Sequence, residues 1–295
     1  TDSEYIAIYA EMPSMADMSH FARTGSSAFD IYVKCGAKYV YHDTFMPTLG
    51  DHYEAISRFK VPGMKDVMLH FPTYSDVKNL YIGVAEGSRI EHSAPYRYSK
   101  PVVYYGSSIT QGACASRPGN AYEAIISNDL DCDFINLGFS GSALAEEAIT
   151  DYINSLDMSV FVMDYDHNAP NPGHLERTHE AFFKKIRASH PDLPVIMISR
   201  PTFEEGYGGP HAYGISVIPP ENEMLRCREV VFRTYMNAVN AGDRNVYFID
   251  GASLFNGPHA DLCTVDGVHP NDAGFLRMAD RIGSFVSAAL PEDPA

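Results

Sequence analysis

Val102-Val103-Tyr104-Tyr105-Gly106-Ser107-Ser108-Ile109-Thr110-Gln111-Gly112 joins a short apolar run to a turn rich in glycine and serine. Four apolar residues closed off by turn chemistry read as a buried strand. The apolar residues of Ala121–Leu130 then recur at helical spacing. The same rhythm repeats four more times. Phe134–Leu137 precedes a helical Ala143–Leu156, Val160–Met163 precedes Leu175–His190, Val195–Ile198 precedes Asn222–Ala241, and Val246–Ile249 precedes Asp272–Leu290. Strands alternating with helices predict an α/β domain, a parallel sheet with helices on both faces, over residues 100–295.

Upstream of Lys100 the rhythm differs. Tyr5–Tyr9, Phe29–Val33, Lys38–Tyr41, Val67–His70 and Leu80–Val84 are rich in Val, Ile, Tyr and Phe and are separated by Gly, Pro, Asp and Ser. These are strand and turn signals with no convincing helix among them. They predict an antiparallel β-sandwich domain over residues 1–99. One connection in the second part is long. Arg200–Glu221 holds Gly206, Gly208, Gly209 and Gly214 with Pro201, Pro210, Pro219 and Pro220. It reads as a lid or binding loop, or equally as a surface insertion.

The 295 residues carry a formal net charge of −16, with 45% hydrophobic and 20% charged residues. That is the balance of a globular chain, and its sign disfavours nucleic acid and anionic membrane surfaces as partners. No apolar run is long enough to span a bilayer. Five scattered cysteines without a C-x-x-C pair read as buried small residues rather than a zinc or redox motif. They favour a reducing, cytoplasmic setting, with a periplasmic or secreted one if a leader has been removed; the chain begins at Thr1.

In an open parallel sheet the site lies beyond the carboxyl ends of the strands. Ser108 stands there, where its hydroxyl can project and nearby N–H groups can face a substrate. The turn alone could also bind phosphate or merely end the strand. Asp266-Gly267-Val268-His269-Pro270 follows the last strand. A serine nucleophile needs a base and the base an orienting carboxylate, and a spacing of three lets one turn present both. Pro270 holds His269 extended and outside the next helix. Taken alone, the pair could simply close a loop and cap that helix. After the second strand comes Gly138-Phe139-Ser140-Gly141-Ser142, and after the third Asp164-Tyr165-Asp166-His167-Asn168-Ala169. The Gly141 N–H, the Asn168 amide and the Ser108 N–H could serve a developing oxyanion, although a glycine turn and a capping asparagine are the plainer readings of each. His167 and His174 read as loop residues or substrate contacts. No His-Glu-x-x-His or comparable spacing occurs among the twelve histidines, so neither metal nor organic cofactor is expected.

Together these blocks resemble the SGNH/GDSL hydrolase family over about residues 101–290. Gly106–Gly112 resembles its Gly-Asp-Ser-Leu/Ile-Thr-x-Gly block, with Ser107 in place of Asp. Gly141 and Asn168 resemble its second- and third-block residues, although the third block here is Asp166-His167-Asn168-Ala169 rather than Gly-x-Asn-Asp. Asp266 and His269 resemble its closing Asp-x-x-His. Ser27-Ala28-Phe29-Asp30-Ile31-Tyr32-Val33 resembles the Gly-x-Asp-Leu-Tyr motif of a β-sandwich domain that precedes one bacterial subfamily, and the chain resembles that domain from its middle onward. The resemblance implies a flavodoxin-like three-layer α/β/α fold behind a jelly-roll-like sandwich. It implies Ser108 as nucleophile, His269 as base, Asp266 as its orienter, and Ser108, Gly141 and Asn168 as the oxyanion hole.

The expected activity is a serine carboxylic-ester hydrolase working through an acyl-enzyme, removing short acyl groups such as acetyl from a carbohydrate or other polar alcohol. Two alternatives stand beside it: an acyltransferase using the same residues, and a carbohydrate-binding protein with an inert hydrolase domain.

Overall fold

The structure is a computed structural model describing residues 1–201 and 221–291. The connection expected to act as lid or insertion lies, between its ends, outside the described residues.

The first six strands form two antiparallel sheets of three. β1 (Tyr5–Glu11) lies between β4 (His52–Arg58) and β6 (Asn79–Val84), and β2 (Phe29–Cys35) lies between β3 (Lys38–Phe45) and β5 (Val67–His70). Along β1, Ile6, Ile8 and Ala10 turn inward and pack with Phe29, Ile31, Phe45 and Tyr53. This is the period-two burial of a sandwich face. Two elements escaped the sequence reading. β4 is His-Tyr-Glu-Ala-Ile-Ser-Arg and buries only Tyr53 and Ser57, so it has no apolar alternation to detect. α1 (Arg23–Ser26) is a single turn, too short to show a helical period.

The second sheet is parallel. Its strands are β7 (Tyr98–Gly106), β8 (Cys132–Gly138), β9 (Val160–Asp164), β10 (Val195–Ile198) and β11 (Val246–Ile249), in the order β11-β10-β9-β7-β8. Val102 and Tyr104 of β7 enter one core with α3 (Tyr122–Leu130) and α7 (Asp272–Ala289). Val103 and Tyr105 enter the other with α4 (Glu147–Asn154), α5 (Pro172–Ser189) and α6 (Glu221–Asn240). Burial on both faces is why these strands read as unbroken apolar runs. The chain leaves β7 for β8 on one side and continues through β9 on the other. That order opens a crevice at the carboxyl ends of β7 and β9.

The helix expected from Ala143 begins only at Glu147. Ala145 has φ +57, a left-handed value that interrupts helical geometry, and its N–H donates to the Tyr105 hydroxyl at 2.9 Å.

Asp30 fastens the sandwich to the parallel sheet's side of the molecule. Its buried carboxylate accepts from Thr44 Oγ1 at 2.9 Å, the Gly119 N–H at 2.9 Å and Arg117 Nη1 at 3.3 Å. The Arg117 guanidinium also donates to the Tyr32 hydroxyl. The Asp and Tyr of the Gly-x-Asp-Leu-Tyr-like stretch thus tie the sandwich to the segment around Arg117 and Gly119.

Candidate active site

α2 (Ser108–Gln111) starts where β7 ends. Gly106 lets them meet, because a Cβ there would lie 2.0 Å from Thr110 Oγ1 and 2.5 Å from the Asp164 carbonyl oxygen. Ser107 caps the short helix, its Oγ accepting from the Ile109 N–H at 3.2 Å. An aspartate could cap in the same way, but Ser107 is buried, and a neutral hydroxyl avoids the desolvation of a charge.

Ser108 Oγ lies 3.0 Å from His269 Nε2, and His269 Nδ1 lies 2.7 Å from Asp266 Oδ2. Oδ1 of Asp266 accepts the backbone N–H groups of Val268 at 3.0 Å and His269 at 2.7 Å. Burial pushes the Asp266 carboxyl up, but the bonds from the His269 ring and from both N–H groups outweigh it and hold it at about 2. A carboxylate so held stays ionised and fixes the proton of the ring on Nδ1, leaving Nε2 as the acceptor beside Ser108. The turn that carries the pair follows β11 at a distance, after 3-10 turns at Gly251–Ser253 and Ala260–Cys263, and a bridge between Thr264 and Pro270 closes it.

The two other blocks meet each other. Gly141 has φ +70, a left-handed conformation natural to glycine, and a Cβ there would meet nothing within 4 Å. Asn168 ends a 3-10 turn, Asp166–Asn168, and its Oδ1 accepts the Ala143 N–H at 3.1 Å. Its amide N–H₂ is left to donate elsewhere. Neither that group nor the Gly141 N–H has an acceptor among the described residues. Asp166, where the family block has glycine, is buried against Arg200. It accepts the Arg200 N–H at 2.8 Å and Nε at 2.9 Å, while Arg200 Nη2 donates to the Asp166 carbonyl at 2.6 Å. This pair pins the turn that carries Asn168. Reading the block for catalytic residues alone missed it.

His174 belongs to α5 rather than to a loop, and its Nε2 contacts the Leu144 carbonyl at 3.1 Å. Buried His167 Nε2 has no partner among the described residues, and desolvation, then the positive charge of Arg200, holds its ring well below the usual imidazole range.

The sandwich side also reaches the crevice, which no sequence spacing could reveal. The Tyr74 hydroxyl lies against Ser140 and Ser108, and burial raises it to about 12. Phe21 packs edge-on to its ring at 5.1 Å between centroids. The ring of His20 lies 5.7 Å from that of His269. No helix among the described residues is long and apolar enough to cross a membrane.

Residues 99–287 match the GDSL-like lipase/acylhydrolase family, and residues 1–90 match the N-terminal segment of SGNH-hydrolase-type esterases. A structure described as a GDSL-like lipase from Bacteroides ovatus is 29% identical, covers 98% of this chain and 82% of its own, and superposes with a TM-score of 0.85. The salicylyl-acyltransferase SsfX3 of a tetracycline biosynthetic pathway is 20% identical over 98% of this chain and 81% of its own, with a TM-score of 0.72. A family two carbohydrate esterase from Clostridium thermocellum, solved with cellohexaose, is 14% identical over 97% and 89%, with a TM-score of 0.68. Among curated proteins no match is found.

Proposed function

This chain belongs to the GDSL-like lipase/acylhydrolase family and is an esterase, and on that premise we propose that Ser108 is its nucleophile, His269 its general base and Asp266 the group that orients the base. The observation that carries the proposal is the unbroken relay, 3.0 Å from Ser108 Oγ to His269 and 2.7 Å from His269 to Asp266. His269 Nε2 takes the hydroxyl proton as Ser108 Oγ bonds to the ester carbonyl carbon. The carbonyl oxygen gathers negative charge and is met by the N–H groups of Ser108 and Gly141 and by the Asn168 amide. The imidazolium returns its proton to the departing alcohol, leaving an acyl-enzyme. Water, deprotonated by the same nitrogen, releases the acid.

The substrate we propose is a short acyl ester, such as an acetate, of a carbohydrate or other polar alcohol. Two features support it. Ser108 and His269 are only 8% and 9% exposed, which suits a small acyl group. The groups beside Ser108 include the hydroxyls of Tyr74 and Ser140, which are polar. The fold is shared with carbohydrate esterases, an analogy of scaffold only. A panel of p-nitrophenyl esters from acetate to decanoate, alongside acetylated sugars, tests the reading. Acetate should be the best chain length, and Ser108→Ala should abolish turnover on every substrate. A preference for long chains would overturn the substrate, and an active Ser108→Ala would overturn the nucleophile.

A further inference from the structure

Three side chains outside one another's sequence neighbourhood meet at the relay. His20, in the turn between β1 and α1, Cys114, just past α2, and His269 each offer a ligand atom within 4.8 Å of the others. Two of them have no evident task. His20 Nδ1 is buried and has no hydrogen-bond partner among the described residues. Cys114 is a free thiol whose one hydrogen bond among the described residues runs 3.4 Å from Sγ to the His20 carbonyl oxygen. It also holds φ +68, a left-handed value that costs a non-glycine residue energy and that places its side chain at this spot.

We propose that His20, Cys114 and His269 form an inhibitory site for a soft divalent cation, zinc above all. Two imidazoles and a thiol are the donor types zinc selects, and a three-ligand site leaves the fourth position to water. Zn–S bonds of about 2.3 Å and Zn–N bonds of about 2.0–2.1 Å put tetrahedral donors roughly 3.5 Å apart. The three atoms lie within 4.8 Å of one another, so binding draws them closer by up to about 1.3 Å. On binding, the Cys114 thiol gives its proton to water and the thiolate bonds to the metal. Inhibition follows from the geometry of His269. Its Nε2 faces Ser108 and its Nδ1 faces Asp266, so whichever nitrogen takes the ion, one link of the relay is broken. The loss of activity rests on the relay proposed above, whereas occupation of the site does not.

Zinc chloride is titrated against p-nitrophenyl acetate hydrolysis, and cobalt chloride is titrated against the absorption spectrum of the same protein. Zinc should inhibit reversibly, with activity restored by EDTA. Cobalt should show a thiolate-to-metal charge-transfer band and the visible bands of a tetrahedral site. His20→Ala and Cys114→Ala, each made alone, should keep metal-free activity and raise the zinc inhibition constant tenfold or more, and Cys114→Ala should lose the charge-transfer band. Cys35→Ser, which removes the exposed thiol, should change neither. Absence of the thiolate band in the wild type, its survival in Cys114→Ala, or equal zinc inhibition in wild type and both variants would overturn the proposal. A normal cobalt spectrum without inhibition would keep the metal site and sink the relay instead.

Discussion

Asp266→Asn separates orientation of the base from everything else the carboxylate does. Oδ1 of Asp266 accepts two backbone N–H groups, from Val268 and His269, and an asparagine oxygen can keep both. Its N–H₂ group must then take the place of Oδ2, 2.7 Å from His269 Nδ1. Two donors cannot face each other at that distance, so the ring moves its proton to Nε2 and presents Nδ1 as acceptor. Nε2 then donates toward Ser108 Oγ and cannot take its proton. The same tautomer inversion in serine proteases lowers kcat by about 10⁴. A loss of about 10³–10⁴, or roughly 4–5.5 kcal/mol of transition-state stabilisation, is expected here. Because the wild-type carboxyl is held at about 2, it stays ionised throughout any workable assay range, so the deficit should appear at every pH. The assay is kcat and kcat/KM on p-nitrophenyl acetate from pH 5 to 9, with thermal unfolding to show that the turn survives. An Asp266→Asn enzyme within tenfold of wild type would refute the reasoning, since it would mean His269 keeps a usable Nε2 without its carboxylate.

Two further predictions concern stability around the crevice. Burial, then the charge of Asp166, raises the Asp164 carboxyl from 3.8 to about 8, against the opposing bonds from Thr110 and Tyr122. The folded protein thus keeps a proton that the unfolded chain releases above about pH 4, and stability should fall as pH rises from 5 to 8 with a contribution of up to about 1.4 kcal/mol per pH unit. Asp164→Asn should remove that contribution, and urea midpoints with the same pH slope in both proteins would contradict it. Arg200→Met strands the buried Asp166 carboxylate and should cost about 3–5 kcal/mol, part of it regained by adding Asp166→Asn. Chemical unfolding of both variants measures this, and a loss below about 1 kcal/mol would show that the pair is not holding the Asn168 turn.

The sequence revealed most where one local signal sufficed. Buried on both faces, Val160–Met163 and Val195–Ile198 are pure apolar runs and were legible to within a residue. Asp266 and His269 share one turn, so a spacing of three allowed the contact they make, although taken alone it fitted a loop closing on a helix cap equally well. The reading weakened where structure depends on a partner. β4 owes its place to pairing with β1 rather than to its own residues. Helix α4 starts late because Tyr105, forty residues earlier, holds the Ala145 N–H. Arg200, His20 and Tyr74 reach the crevice from distant segments, and no periodicity links them to Ser108. Asp166 stood in plain view, yet its meaning is the arginine 34 residues on.

Gln111 shows how far a block read for its nucleophile can understate its neighbours. It occupies the variable position of the Gly-x-Ser-x-Thr-x-Gly pattern, where no local signal singles it out. Its Nε2 donates to the Thr73 carbonyl at 3.1 Å, and its Oε1 accepts the Ser140 N–H at 2.8 Å. Thr73 is tied in turn to Gly25 by its backbone N–H and its hydroxyl. One side chain, three residues after Ser108, thus grips both the loop that carries Tyr74 and the loop that carries Gly141. A shift of the sandwich loop would be felt first at Gln111, and through it at both walls of the crevice. The sandwich is then part of what shapes the space in front of Ser108, and differences in its 73–75 loop are a direct route to changing which alcohol fits there.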